Sequence, residues 1–271
     1  MRRPTPEEFQ TSVYDYYKKH GRHALPWRKT KDPYKILVSE IMLQQTQVER
    51  VTPKFLEFLK RFPSVGVLAR ASLGDVLRHW QGLGYNRRAK HLHECARAVL
   101  AQYAGTMPHT YDGLLALPGI GPYTAAAVMA FAYNKPVVMI ETNIRTAYIH
   151  HFFNGKKGIT DMQLRPLIEQ TLDQKNPRKW YSALMDYGSH LKVSVGNPSR
   201  NSAHYTKQKK FKGSDREIRG ALLRLFTLGS LSEKGISKKL IFDSTRIHKQ
   251  LSALEKEGMV VRKRGTYSLP L

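Results

Sequence analysis

Cysteine is almost absent from this chain: Cys95 is the only one among 271 residues. No internal disulfide can form, and neither a cysteine-rich zinc site nor an iron-sulfur cluster can be assembled from one thiol. Acidic residues are scarce too, 21 Asp and Glu against 45 Lys and Arg, for a formal net charge of +24. Such a surplus implies a polyanionic partner whose binding weakens steeply with salt, and nucleic acid is the first candidate. An anionic membrane is the competing partner, but long apolar runs are also missing. The longest, Ala125 to Tyr133, is too short to cross a bilayer, so no membrane association is expected. No apolar stretch follows Met1-Arg2-Arg3-Pro4, which argues against a secretory signal and for a cytoplasmic protein, nucleoid-associated if bacterial. Sustained period-two alternation is absent before the last dozen residues, so the bulk is expected to be α-helical.

What is present is a series of apolar patterns at helical spacing, punctuated by Pro and Gly. Asp32-Pro33 reads as N-cap and first-turn proline of a helix running through Gln47. Ser72 caps a helix carrying Val76, Leu77 and Trp80, and Thr110 precedes one carrying Leu114, Leu115 and Leu117. Residues 192–213 are polar or basic, including the run Lys207-Gln208-Lys209-Lys210, and read as a linker. Beyond it come helices over Asp215 to Leu228 and Glu233 to Ile241, then a third capped by Ser244 and stopped by Gly258. A hairpin turning at Lys263-Arg264-Gly265 closes the chain. Three helices and a basic hairpin are the layout of a winged helix. From His204 onward sixteen Lys and Arg face six Asp and Glu, which favours DNA contact over protein docking for this segment. The expected organisation is a helical domain over 1–191, a linker over 192–213 and a winged-helix-like domain over 214–271.

Two acids and a glycine turn carry the chemistry. Pro118-Gly119-Ile120-Gly121 lets two helices meet tightly and leaves bare N–H groups at the start of the second, where a DNA phosphate fits. Glu40 shares a helix face with Ile36, Leu37, Leu43 and Gln44, so its carboxyl is expected to be partly desolvated and suited to general-acid work. Glu141, with Asn143 beside it, supplies a second carboxylate. Removing a base from deoxyribose passes through an oxocarbenium-like sugar, which needs one acid for the leaving group and one carboxylate facing the ring. Each residue also has a plainer reading: Glu40 as a surface glutamate, Tyr85 as core, Asn143 as a helix cap and Leu43 as ordinary packing.

Five strings, Leu25-Pro26-Trp27-Arg28, Pro33-Tyr34, Ser39 to Val48, Gly82-Leu83-Gly84-Tyr85 and Leu117 to Ala125, resemble together and in order the MutY-type adenine DNA glycosylases of the helix-hairpin-helix superfamily. The resemblance covers about residues 10–190. It implies an all-α, two-lobed helix-hairpin-helix glycosylase fold, here followed by the small winged-helix-like α+β domain. It also implies that Glu40 protonates the adenine ring while Tyr123 and Asn143 support the leaving group and the second carboxylate, Glu141. By the same resemblance Gln45 and Tyr85 wedge into the base stack, Leu43 lines the pocket with Trp27, Arg28 and Asp186, and Gly119 and Gly121 contact DNA. Tyr123 stands where bifunctional relatives carry a Schiff-base lysine, so a monofunctional enzyme without lyase activity is implied.

Three departures accompany the resemblance. The residue matching Glu141 is normally aspartate in the family, and the added methylene displaces the carboxylate by about 1 Å, which in a preorganised site can cost on the order of a hundredfold. The family's Cys-x6-Cys-x2-Cys-x5-Cys cluster loop is matched by Lys192, Ser199, Ser202 and Gln208, so no cofactor is expected and the loop must be held by polar contacts and packing. The winged-helix-like segment is expected to stand in place of the family's usual C-terminal Nudix-like domain. The expected function is excision of adenine mispaired with 8-oxoguanine or guanine in double-stranded DNA, after base flipping, by a monomer. Two alternatives stand beside it: a glycosylase for thymine or uracil opposite guanine, and a non-catalytic lesion-binding protein.

Overall fold

Short polar side chains set where most of the helices begin. In the computed structural model, which describes residues 2–208 and 210–271, Thr5 caps α1 (Pro6–His20) and closes a capping box with Glu8. Met1 and Lys209, from the amino-terminal and basic stretches discussed above, lie outside the described residues. Asp32 Oδ1 accepts the Tyr34 amide at 2.9 Å to open α2 (Pro33–Leu43). Next come α3 (Val48–Arg61), α4 (Val65–Arg70) capped by Ser64, α5 (Leu73–His79) capped by Ser72 and α6 (Arg87–Tyr103). Thr110 caps α7 (Tyr111–Leu115), and α8 (Pro122–Phe131), α9 (Thr142–Phe152), α10 (Asp161–Thr171) and α11 (Pro177–Ser194) follow. The carboxyl-terminal helices are α12 (Asp215–Leu228), α13 (Glu233–Lys239) and α14 (Ser244–Lys256). With them goes a small sheet of β1 (Leu231–Ser232), β2 (Val261–Lys263) and β3 (Thr266–Ser268).

The chain divides into two compact units. One comprises residues 1–37, 109–116 and 120–207. Its core is aromatic: Phe9 of α1 meets Tyr148 at 4.9 Å and Trp180 at 5.9 Å between ring centroids, which joins α1, α9 and α11. Gly188 of α11 lets that helix touch α9, for a Cβ there would lie 2.0 Å from the Asn143 carbonyl oxygen. The other unit comprises residues 38–108, 117–119 and 208–271. Phe58, Phe62 and Trp80 fill its helical part, and Leu222, Phe226, Leu251 and Leu254 fill the carboxyl-terminal part. The sheet is antiparallel in the order β1-β3-β2, with Leu231 opposite Tyr267 and Arg262 also opposite Tyr267. Arg264 and Gly265 both take positive φ, as a two-residue hairpin turn of the favoured hand requires. The end of the chain closes on α5, where the Gly74 amide donates to the Pro270 carbonyl at 3.0 Å.

Several boundaries differ from the sequence expectation. α2 stops at Leu43 rather than Gln47, because Gln45 turns into the left-handed region with φ of 55°. α11 continues to Ser194, into the stretch expected as linker, and a 3-10 turn over Pro198–Asn201 follows. That stretch is pinned by backbone bonds from Ile159 to the Asn201 carbonyl (3.0 Å) and from Ala203 to the Ile159 carbonyl (2.9 Å). Residues 208–271 cluster with 38–108. α13 ends at Lys239, and Asp243, one residue before Ser244, caps α14. Among the described residues no helix is long and apolar enough to cross a membrane.

Gly188→Ala is expected to lower stability by about 2–3 kcal/mol through overpacking, because backbone rather than a flexible side chain blocks the new methyl. Urea denaturation measures it, and an unchanged midpoint would show that α9 and α11 separate without cost.

Candidate functional site

At the start of α9 a glutamate does the capping work ordinarily done by shorter side chains. Glu141 folds back so that Oε1 accepts the amides of Asn143 (2.7 Å) and Ile144 (2.9 Å), while Oε2 accepts from Asn143 Nδ2 at 3.2 Å. The added methylene is thus taken up in closing the cap, and the carboxylate is fixed at the positive end of the helix. Asn143 passes the interaction on, since Lys192 Nζ of α11 donates to its Oδ1 at 2.6 Å. Burial raises the Glu141 carboxyl above its ordinary range, while the Lys192 ammonium, the Ile144 and Asn143 amides and Arg145 pull it back. Lys192 is itself lowered by burial, against the pull of Glu141. The result is a carboxylate, a bridging amide and an ammonium in one line, able to face a developing positive charge.

The same unit holds four further residues expected at the site, Trp27, Arg28, Asp186 and Tyr123. Trp27 is buried in a 3-10 turn, Pro26–Arg28. Asp186 is committed to Arg28, which meets it in a fork at 2.5 and 2.8 Å, and to Arg22 through both its backbone amide (2.8 Å) and Nε (2.6 Å). Burial opposes ionisation of Asp186, but these guanidinium and amide bonds prevail and hold its carboxyl below the usual range. Tyr123 is half-buried in the first turn of α8, whose N-cap Gly121 has open space where a side chain would be. Gly119 belongs to the other unit. There it takes φ of 74°, and a Cβ would lie 2.5 Å from the His91 Cβ.

That second unit gathers Glu40, Leu43, Gln45 and Tyr85. Glu40 is only 5% exposed on α2, among the buried Ile36, Leu37, Ile41 and Met42. Leu43 is half-buried at the helix end, and Gln45 is exposed. Gln45 and Tyr85, the two expected wedge residues, both have positive φ, 55° and 47°, which is uncommon for side chains with a Cβ and clusters at functional positions. One residue that the motifs did not single out holds both. Buried Arg88 donates Nη1 to the carbonyls of Ile41 (2.8 Å), Met42 (2.9 Å) and Gln44 (2.6 Å). Its Nη2 donates to Leu83 and Gly84 carbonyls and Thr46 Oγ1, each at 3.1 Å. Gln44 and Gly84 immediately precede the two strained residues. Burial lowers the Arg88 guanidinium to about 10, so it stays cationic at neutral pH. The available signal was a basic residue three positions after Tyr85, on the helix that the glycine turn leads into.

The positions matching the family's cluster ligands do not fit an iron-sulfur cluster. Lys192 is engaged with Asn143, and Ser199 and Ser202 are buried. Gln208 donates to Gln45 Oε1 at 3.0 Å and to the Tyr85 hydroxyl. The lone thiol, Cys95, sits in the core of α6, where burial pushes it up to about 12.

Residues 38–174 match the family described as HhH-GPD superfamily base excision DNA repair protein. An adenine DNA glycosylase of Mycolicibacterium smegmatis is 37% identical over 226 residues, covering 75% of this chain and 75% of that protein. An adenine DNA glycosylase of Buchnera aphidicola is 34% identical over 197 residues, covering 71% of this chain and 55% of that protein, so the chain spans just over half of the Buchnera relative. Among solved structures, a thermostable thymine-DNA glycosylase superposes with a TM-score of 0.63 at 26% identity, covering 71% of this chain and 90% of that one.

Arg88→Met is expected to destabilise the protein by at least about 3 kcal/mol, since it strands several buried carbonyls that each cost about 1–3 kcal/mol when unpaired. Thermal unfolding of the variant measures this, and a melting point equal to the parent's would mean that α2 and the Tyr85 turn hold themselves.

Proposed function

The chain belongs to the HhH-GPD superfamily of base excision DNA repair proteins, and from that premise we propose that it is an adenine DNA glycosylase acting on adenine opposite 8-oxoguanine or guanine. The observation that carries this reading is the Glu141 carboxylate, capped by two amides and backed by Asn143 and Lys192. Fixed charge of that kind stabilises a sugar cation without reorganising as the cation forms. In this reading the basic surface and the amides after the glycine turn grip the phosphates, the target nucleotide leaves the stack, and Gln45 and Tyr85 fill the gap. Glu40, buried on α2, gives a proton to the adenine ring. The glycosidic bond breaks with its electron pair leaving on the base, Glu141 faces the cationic ring, and water adds to the anomeric carbon and loses a proton. Adenine and an abasic site result. Tyr123 offers a phenol where a Schiff base would need an amine, so the strand stays intact. The reaction needs no cofactor, because its charges are supplied by carboxylates, amides and the Lys192 ammonium.

A duplex carrying adenine opposite 8-oxoguanine is expected to be nicked at that adenine only after alkali treatment. Glu40→Gln should keep binding the duplex while adenine release falls by about a hundredfold or more, the scale of a lost general acid. A nick before alkali would overturn the monofunctional assignment, and full activity in Glu40→Gln would remove its role. Glu141 must be ionised to act, so activity falls as pH drops through its raised pKa. Because the Lys192 charge lowers that pKa, Lys192→Met should move the acid limb of the single-turnover pH profile to higher pH. An unmoved limb would exclude Lys192 from tuning the carboxylate.

A further inference from the structure

Beside the tips of Gln45 and Tyr85 lies a cavity of about 570 Å³, lined by α6, α12 and α14. Its size suits a single planar ligand. Its walls are rich in hydrogen-bond donors, among them His91, Arg216, Arg219 and Gln250. Arg216 of α12 lays its guanidinium 5.3 Å from the Tyr85 ring centroid and donates to the Tyr85 hydroxyl. The Gln208 amide joins the same hydroxyl to Gln45. The wall behind is rigid, because Glu257 of α14 receives Arg87 in a fork (2.6 and 3.0 Å) and Arg219 at 2.6 Å. Burial works against that carboxyl, yet the two guanidinium groups hold it at about 2, so the clip stays charged throughout the working range of pH.

A wedge that fills the place of an expelled nucleotide touches the base left behind on the opposite strand. Here the side chains that hydrogen-bond the wedge tips, Gln208 and Arg216, come from the carboxyl-terminal segment. Resting on the glycosylase reading above, we propose that this cavity receives the unpaired purine opposite the adenine, with Arg216 donating to its O6, and also to N7 where the base is guanine, and Gln208 completing the contact. A guanidinium fork matches the paired acceptors of guanine. A carboxamide, which both donates and accepts, also suits an 8-oxo purine, whose N7 carries a hydrogen. The segment is then a specificity element rather than a general DNA grip.

The test is a binding measurement that does not depend on turnover. Duplexes carry 2′-fluoro-deoxyadenosine, whose fluorine disfavours the sugar cation, opposite guanine, 8-oxoguanine or a tetrahydrofuran abasic analogue, and affinities are read by fluorescence anisotropy. The parent protein should bind the two purine duplexes about tenfold or more tighter than the abasic one, the scale of one bidentate base contact. In Arg216→Met and Arg216→Lys that ratio should collapse toward one, with Arg216→Lys retaining more overall affinity because its charge remains. An equal weakening on all three duplexes, with the salt dependence reduced by about one phosphate contact, would make Arg216 a backbone grip and overturn the proposal. So would a parent protein that does not distinguish purine from abasic. If the parent releases no adenine from any duplex, the glycosylase reading fails while the binding ratio still decides the fate of this pocket.

Discussion

One buried guanidinium, that of Arg88, orders the second unit. It takes five carbonyl oxygens and a hydroxyl from two loops far apart in sequence. A charge withdrawn from water must find such partners or lose its place in the fold. Here the partners are carbonyls at and just beyond the end of α2 and in the Leu83-Gly84 turn, where the helical ladder has run out. Meeting both needs at once ends the helix that carries Glu40, and it presents Gln45 and Tyr85 in backbone conformations they would not hold alone. The strain of two left-handed residues is offset by hydrogen bonds made one position earlier.

A second constraint is the treatment of acids in a chain with so few of them. Asp186, Glu141 and Glu257 each lie against cations, but with different results. Asp186 and Glu257 are met in forks by arginines and held below ordinary values, which suits structural clips. Glu141 instead receives backbone amides and a lysine reached through Asn143, and its carboxyl is left raised. A group intended to respond to charge on a ligand must not be saturated by the protein's own cations. Lys192 balances Glu141 at one remove, through the Asn143 amide that bonds to both.

Much of the fold was legible in local pattern. α12 matched its expected bounds because its apolar residues keep helical spacing from Ile218 to Phe226. The Arg264-Gly265 turn was legible too. The end of α2 was not, since Gln44-Gln45-Thr46 contains no helix breaker and the stop is imposed by Arg88 from another helix. Glu141 was legible as an acid but not as a cap, a role that sequence preference reserves for shorter side chains. Lys192 was visible only as a missing cysteine. Its partner Asn143 lies 49 residues earlier in the chain, and pairings of that kind have no periodic signature. Arg216 hid within a basic segment whose charge suggested phosphate, and only the stacking on Tyr85 separates it from its neighbours.

The bond from Gly74 to Pro270 has a consequence for biosynthesis. α5 needs a carbonyl that is translated long after the helix itself, and a Cβ at Gly74 would stand 2.2 Å from that oxygen, so the close approach depends on glycine there. Residues 38–108 therefore emerge from the ribosome well before the segment that completes their unit. The nascent polypeptide must keep an unfinished apolar surface out of aggregation while the intervening helices are translated, a long-range closure that slows folding.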